Sequence, residues 1–220
     1  MIKANVVATG SSGNFCIIED SVAVDAGVPF KVVEPYLDKI KLLLLTHEHS
    51  DHFKGSTIRR MALEKPLLKI GCGPFMVDRL IGVGVSKKQI AVLHPRMIYN
   101  CGICNVIPIP LYHDVPVYGY KIHYPNGKVF YATDTRSLAG VSAVNYDLYM
   151  VESNYDEQEL KTRMDEKLDA GQYAYEMRVL KNHLSAKKCN DWIYKNAGPH
   201  SEYIYLHQHR GRDEGENNRV

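Results

Sequence analysis

The stretch Thr46-His47-Glu48-His49-Ser50-Asp51-His52 directly follows the apolar run Leu42-Leu43-Leu44-Leu45. Three imidazoles and two carboxylates fall within six residues. Packing does not explain such density, because each group would need its own buried partner or would have to face water. A metal ion satisfies several of them at once, and the bland alternative is a polar loop with chance histidines. With Leu42 to Thr46 as a buried strand, the chain leaves that strand at His47. Residues two apart then project the same way, so His47 and His49 can hold one ion. Asp51 and His52 follow on the turn into a helix, placed to hold a second ion a few ångströms away. Two divalent metal ions are therefore expected, and a donor set of nitrogen and oxygen accepts Zn²⁺ or Mn²⁺.

Other elements must carry further donors to this loop. Residues 2–9, 15–19 and 21–24 are short runs rich in β-branched side chains, separated by turn residues, the pattern of an antiparallel meander. The first turn, Gly10-Ser11-Ser12-Gly13-Asn14, combines two glycines with two hydroxyls. Its N–H groups could converge on a phosphate, or it could be a plain hairpin loop. Val24-Asp25-Ala26-Gly27 ends the third strand on a carboxylate and a glycine. Residues 29–40 have helical spacing. Beyond the metal loop the pattern predicts a helix to about residue 64, a strand over 67–70 and a helix over 74–81, an alternating β/α half.

Strand character returns at 90–93, 97–100 and 105–111, and the last of these delivers Tyr112-His113-Asp114. Residues 117–123 and 129–132 form a hairpin that ends in Thr133-Asp134-Thr135. A strand over 146–151 leads to Glu152-Ser153-Asn154-Tyr155-Asp156, and a polar, helix-forming stretch follows to Leu180. Ser185 caps a final helix reaching Tyr194. Residues 203–206 form the last strand and end in His207-Gln208-His209; the tail 210–220 is polar, without periodicity, and expected to be disordered. Candidate donors thus recur at strand ends, where loops gather at one rim.

With 220 residues, 45% hydrophobic and 24% charged, the chain suits a single globular domain over residues 1–209. The formal charge of +2 and pI of about 8.2 carry no nucleic-acid signature by themselves. The N-terminus lacks the features of a signal peptide and no apolar run reaches the length of a membrane span, so a cytoplasmic protein is expected. Of five cysteines, only Cys101 and Cys104 form a CxxC. It reads as a tight strand-to-strand turn with free thiols, the rival being a redox or metal pair.

The pattern His-x-His-x-Asp-His behind an apolar strand resembles the signature of the metallo-β-lactamase superfamily of hydrolases. Together with Gly10-Ser11-Ser12-Gly13-Asn14, Glu152-Ser153-Asn154-Tyr155-Asp156 and Asn182-His183-Leu184-Ser185, residues 5–209 resemble the YycJ (WalJ) family of single-domain metallohydrolases. These are relatives of the tRNA 3′-processing endonucleases and of larger exonucleases. The family usually has His where Tyr155 stands, Gly where Asn182 stands, and His-Leu-Ser where His207-Gln208-His209 stands. The resemblance implies an α/β, four-layer αββα sandwich with the site at one edge between its two sheets. It also implies His47, His49 and His113 on the first ion, Asp51, His52 and a C-terminal His on the second, and Asp134 bridging. Asp25 would hydrogen-bond the metal loop from behind. His207 follows its strand directly, as His47 does, and matches the terminal ligand of the tRNA-processing relatives. His209, two residues on, would face the same way.

The implied activity is that of a phosphodiesterase or nuclease acting on nucleic acid, DNA rather than RNA, through a metal-bridging hydroxide. Asp51 would be a ligand and a hydrogen-bond partner of the nucleophile, and His183, held by Glu152, would give the leaving alkoxide its proton. A hydrolase of small cyclic-phosphate, lactone or thioester substrates would use the same ions, with less need of that proton donor. A non-catalytic binding protein on a dead scaffold is the third reading, and the full ligand set argues against it. Lys54, Arg59 and Arg60 follow the metal loop and either meet phosphates or form a solvated helix face.

Overall fold

A computed structural model describes residues 1–169 and 176–208, the side chains of 168 and 169 excepted. His209 and the tail 210–220 lie outside the described residues.

Alternation along the strands decides the architecture. In β4 (Leu42–Leu44), Leu42 and Leu44 join one buried cluster, whereas Leu43 and the following Leu45 join another. The same division separates Cys16 and Ile18 from Phe15 and Ile17 in β2 (Phe15–Ile18). Strands buried on both faces read as continuous apolar runs, as these do. Here β1 (Ala4–Ala8), β2, β3 (Val22–Val24), β4, β5 (Lys69–Cys72) and β6 (Ile90–Val92) form a six-stranded sheet in that order. The first three are antiparallel and the rest run parallel to β3.

A second six-stranded sheet runs in the order β12-β11-β10-β9-β8-β7. Its members are β7 (Tyr99–Asn100), β8 (Asn105–Pro110), β9 (Tyr118–Tyr124), β10 (Gly127–Ala132), β11 (Leu148–Glu152) and β12 (Glu202–Leu206). Between the sheets lies a core of Cys16, Ile18, Leu42 and Leu44 against Tyr118, Tyr120, Ile122, Tyr131 and Met150. Outside the first sheet pack α1 (Phe30–Val33), α2 (Gly55–Glu64) and α3 (Val77–Gly82), through Val33, Ile58, Met61 and Leu80. Outside the second packs α6 (Ala186–Asn196), with Cys189 and Ile193 on Phe130, Tyr149 and Val151. The layers are therefore α, β, β, α. Helices α4 (Glu157–Asp169) and α5 (Glu176–Asn182) occupy the expected polar stretch and meet over Leu160 and Val179.

Strand direction gathers the site. β1 runs with β3 and β4, and β8 runs with β10, β11 and β12. Between the sheets, Tyr118 N donates to Thr46 O at 3.1 Å, joining the start of β9 to the end of β4. Because β9 is antiparallel to its neighbours, the carboxyl ends of β8, β10, β11 and β12 open on the same rim as those of β1, β3 and β4. Ligands in open α/β sheets bind at such ends.

The structure departs from the pattern where backbone chemistry interrupts periodicity. The helix expected over 29–40 is only α1 followed by a 3₁₀ turn, Glu34–Tyr36, since Pro35 has no N–H to continue the ladder. The strand expected over 97–100 shrinks to β7, behind Arg96 at φ 64. Cys101 N donates to Cys104 O at 2.9 Å, so the CxxC closes the β7–β8 turn.

Candidate metal centre

At the end of β3, Asp25 takes a left-handed backbone (φ 59) and is fully buried behind the metal loop. Its carboxylate accepts from Thr46 N at 2.8 Å, from the Thr46 hydroxyl at 2.9 Å and from His52 Nδ1 at 2.7 Å. His47 Nδ1 in turn donates to Thr46 Oγ1 at 2.9 Å. Both buried imidazoles therefore have Nδ1 engaged and Nε2 turned to the rim, the arrangement that fixes a ligating tautomer. The loop is held close by Gly27, where an added Cβ would stand 1.7 Å from Asp51 O.

Asn14, buried in the first turn, donates through its backbone to Asp51 O at 2.7 Å and through Nδ2 to the same oxygen at 3.2 Å. Its side chain also bonds both backbone groups of Gly10. Gly13 N is spent on Gly10 O. Of the expected phosphate cradle, then, Asn14 pins the metal loop, Gly13 closes the turn on Gly10, Ser12 is exposed, and Ser11 lines the cleft. Three N–H groups of this turn, those of Gly10, Gly13 and Asn14, are already bonded within the protein.

From the second sheet, His113 lies beyond β8 and donates through Nδ1 to Asn182 O at 3.1 Å, leaving Nε2 3.3 Å from His49 Nδ1. Asp134, beyond β10, also has positive φ (51). Its Oδ2 lies 2.8 Å from His52 Nε2 and its Oδ1 4.0 Å from His113 Nε2, so one carboxylate reaches both groups of imidazoles. Glu152, at the end of β11, is fully buried and accepts from Thr135 N at 2.9 Å. Its Oε1 receives His183 Nδ1 at 2.6 Å and His207 Nδ1 at 3.2 Å. His207, at the end of β12 with φ 51, is anchored through its N–H to Thr9 Oγ1 at 2.7 Å and through its carbonyl to Asn154 Nδ2 at 2.8 Å.

Potential ligand atoms fall into four overlapping groups among the described residues: His47, His49 and His113; Asp51, His52 and His207; His47, His52 and Asp134; and Asp134, Glu152, His183 and His207, each within 4.8 Å. Donors at ~2.0–2.2 Å from a tetrahedral ion lie ~3.3–3.6 Å apart. The His49–His113 and Asp51–His52 pairs stand at 3.3 Å, and Asp51–His207 at 3.7 Å. His47 Nε2 and His207 Nε2 are buried without a hydrogen-bond partner, a costly state unless something else binds them. The residues fit a pair of divalent ions.

Charge is distributed unevenly across the two groups. Burial, reinforced by the neighbouring imidazoles, holds His47 well below the ordinary histidine range, and burial likewise lowers His113. Such neutral rings are ready donors. Burial opposes charge on His52 too, but the Asp134 and Asp25 carboxylates raise it well above that range. For His207 burial is outweighed by Asp134, Asp51 and Glu152, which lift it to about 10.

The cleft above these groups has a volume of about 180 Å³ and is lined by Ser11, His49, Asp51, His113, Asp114, Asp134, Arg178, His183 and His207. Asp114, Thr46 and Arg178 escaped sequence reasoning. Adjacency to His113 was a signal for Asp114, whose Oδ1 lies 3.3 Å from His49 Nε2, whereas Arg178 on α5 bore none. Arg60 does not serve the cleft: it pairs with Glu64 at 2.7 Å and lies 4.0 Å over the Phe30 ring, on the solvated helix layer.

A family profile described as Beta-lactamase superfamily domain matches residues 22–183. The chain is 28% identical over 174 residues to an exodeoxyribonuclease YycJ of Bacillus anthracis, covering 71% of this chain and 64%, just under two thirds, of that relative's length. It is 27% identical over 226 residues to an exodeoxyribonuclease WalJ of Streptococcus pneumoniae, covering 93% of this chain and 80% of the relative. Among solved structures, the metallo-β-lactamase fold protein YhfI of Bacillus subtilis superposes with a TM-score of 0.69 at 17% identity, over 96% of this chain and 88% of that one. That likeness concerns the fold.

Proposed function

This chain belongs to the β-lactamase superfamily, and from that premise we propose that it is a metal-dependent hydrolase, a cytoplasmic phosphodiesterase acting on nucleic acid, DNA in particular. The observation that carries the reading is the convergence of His47, His49, His113, Asp51, His52 and His207 into two groups within reach of Asp134, beside a histidine braced by a buried carboxylate. The two curated relatives are exodeoxyribonucleases, which supports DNA as the substrate.

His47, His49 and His113 would hold one ion, Asp51, His52 and His207 the other, with Asp134 between them; Zn²⁺ and Mn²⁺ both suit the donors. Such a pair supplies Lewis-acid activation of water and of the phosphoryl oxygens. The chain does the rest. Asp51, with one carboxylate oxygen near His52 and His207, orients the attacking water. His183, its Nδ1 on Glu152, turns Nε2 to the cleft and holds the proton that the leaving alkoxide needs. Arg178, exposed at the cleft edge 3.5 Å from Asp114, meets the incoming phosphate.

A small phosphodiester or thioester is the second reading, favoured by a cleft of only about 180 Å³. One experiment separates them: metal-loaded protein is incubated with end-labelled single- and double-stranded DNA and RNA, with bis-p-nitrophenyl phosphate and with a thioester. The proposal expects a DNA product ladder. Turnover of the small substrates with intact nucleic acid would reject it.

A further inference from the structure

Among the described residues, helices pack on only part of the second sheet. Packing of α6 reaches Phe130, Tyr149 and Val151 on β10 and β11, but the outward side chains Ile107 and Ile109 of β8 and Lys121 of β9 remain open. They line a groove of about 510 Å³ whose walls include Arg96, Tyr112 and Val141. This volume lies within the ~300–1,000 Å³ common for ligand sites. Tyr112 joins the groove to the metal centre: the next residue is His113, and the tyrosine is 49% exposed. Arg136 N donates to Tyr112 O at 2.8 Å and the Arg136 guanidinium stands 5.9 Å over the ring.

We propose that this groove binds the single-stranded nucleic-acid segment adjoining the reacting phosphodiester, with Tyr112 stacking a base and Arg96 and Lys121 meeting backbone phosphates. The inference rests on the nucleic-acid reading above and adds where the strand runs. Among the described residues no carboxylate lines the groove, although two cations do. Burial already disfavours the charge on Lys121, and a phosphate would compensate it. An exposed aromatic face flanked by cations, continuous with a phosphodiester-cleaving centre, is the chemistry of a single-strand platform.

The test is fluorescence anisotropy with metal-loaded protein and a 5′-labelled, phosphorothioate-linked single-stranded DNA that resists cleavage. Tyr112→Ala should weaken binding about tenfold. Lys121→Gln and Arg96→Gln should each weaken it and flatten the slope of log K against log salt by about 0.7, while Lys121→Arg restores both. Metal content and Tm report folding of each variant, and the exposure of Tyr112 and Arg96 keeps the test open if Lys121→Gln misfolds. Folded variants with wild-type affinity and slope, alongside a wild type that cleaves DNA, would overturn the groove alone. An aspartate-rich peptide that displaces DNA with equal affinity would also overturn it. Wild-type protein that neither binds nor cleaves nucleic acid would bring down the functional reading and the groove together.

Discussion

Glu152 Oε1 receives both His183 and His207, so one buried carboxylate orients two imidazoles with different assigned work. His207 presents an orphaned Nε2 3.7 Å from Asp51 Oδ2, whereas His183 lies partly open to the cleft. His207→Ala should therefore lower bound metal from two equivalents toward one, measured by elemental analysis. His183→Ala should keep both and slow turnover of DNA by about 10²–10⁴-fold, with a smaller loss on bis-p-nitrophenyl phosphate, whose leaving group needs no proton. The opposite pattern would mean that ligand and proton donor are exchanged. Behind the loop, Asp25 bonds Thr46 and His52 but lies outside the cleft. Asp25→Asn should cost about 10–100-fold in metal affinity, and Asp51→Asn, at saturating metal, should cost more in turnover than Asp25→Asn does.

Strand ends do the positioning, and the elements were legible to the extent that side chains announce them. The apolar run before His47, the hairpin ending at Asp134 and the cap at Ser185, which accepts from Lys188 N, stood at or near their sequence positions. Pairing between distant residues was not legible. Nothing local in Asn14 says that it pins Asp51, and nothing in Arg178 says that α5 carries it to the cleft, because both facts arise from chain segments far apart in sequence. Spacing alone overextends the helix at 29–40, because apolar periodicity carries no sign of the ladder break at Pro35. Gly27 belongs to the same scale: an added methyl would meet backbone Asp51 O, not a yielding side chain. Gly27→Ala should destabilise by about 1–3 kcal/mol and weaken metal binding with it, read by chemical denaturation and metal titration. Unchanged stability and affinity would show that the β3 end and the metal loop move independently.

Across the whole molecule, two sheets supply complementary halves of one centre. The first brings His47, His49, Asp51 and His52, and the second brings His113, Asp134, Glu152 and His207. Neither group of ligands is complete without both sheets, so metal binding should clamp the sandwich. At ligand concentrations near 1,000 Kd, binding to the native state alone is worth about 4 kcal/mol per ion, and about 2–4 °C in Tm follows each kcal/mol at this chain length. Chelation should thus lower Tm by ~10 °C or more, and add-back should restore it. The claim on which the rest depends is a two-ion centre, and metal stoichiometry tests it most directly. Protein purified without chelator and titrated with Zn²⁺ or Mn²⁺ should approach two equivalents per chain by elemental analysis. A value that stays at zero or one, with every imidazole intact, would contradict it.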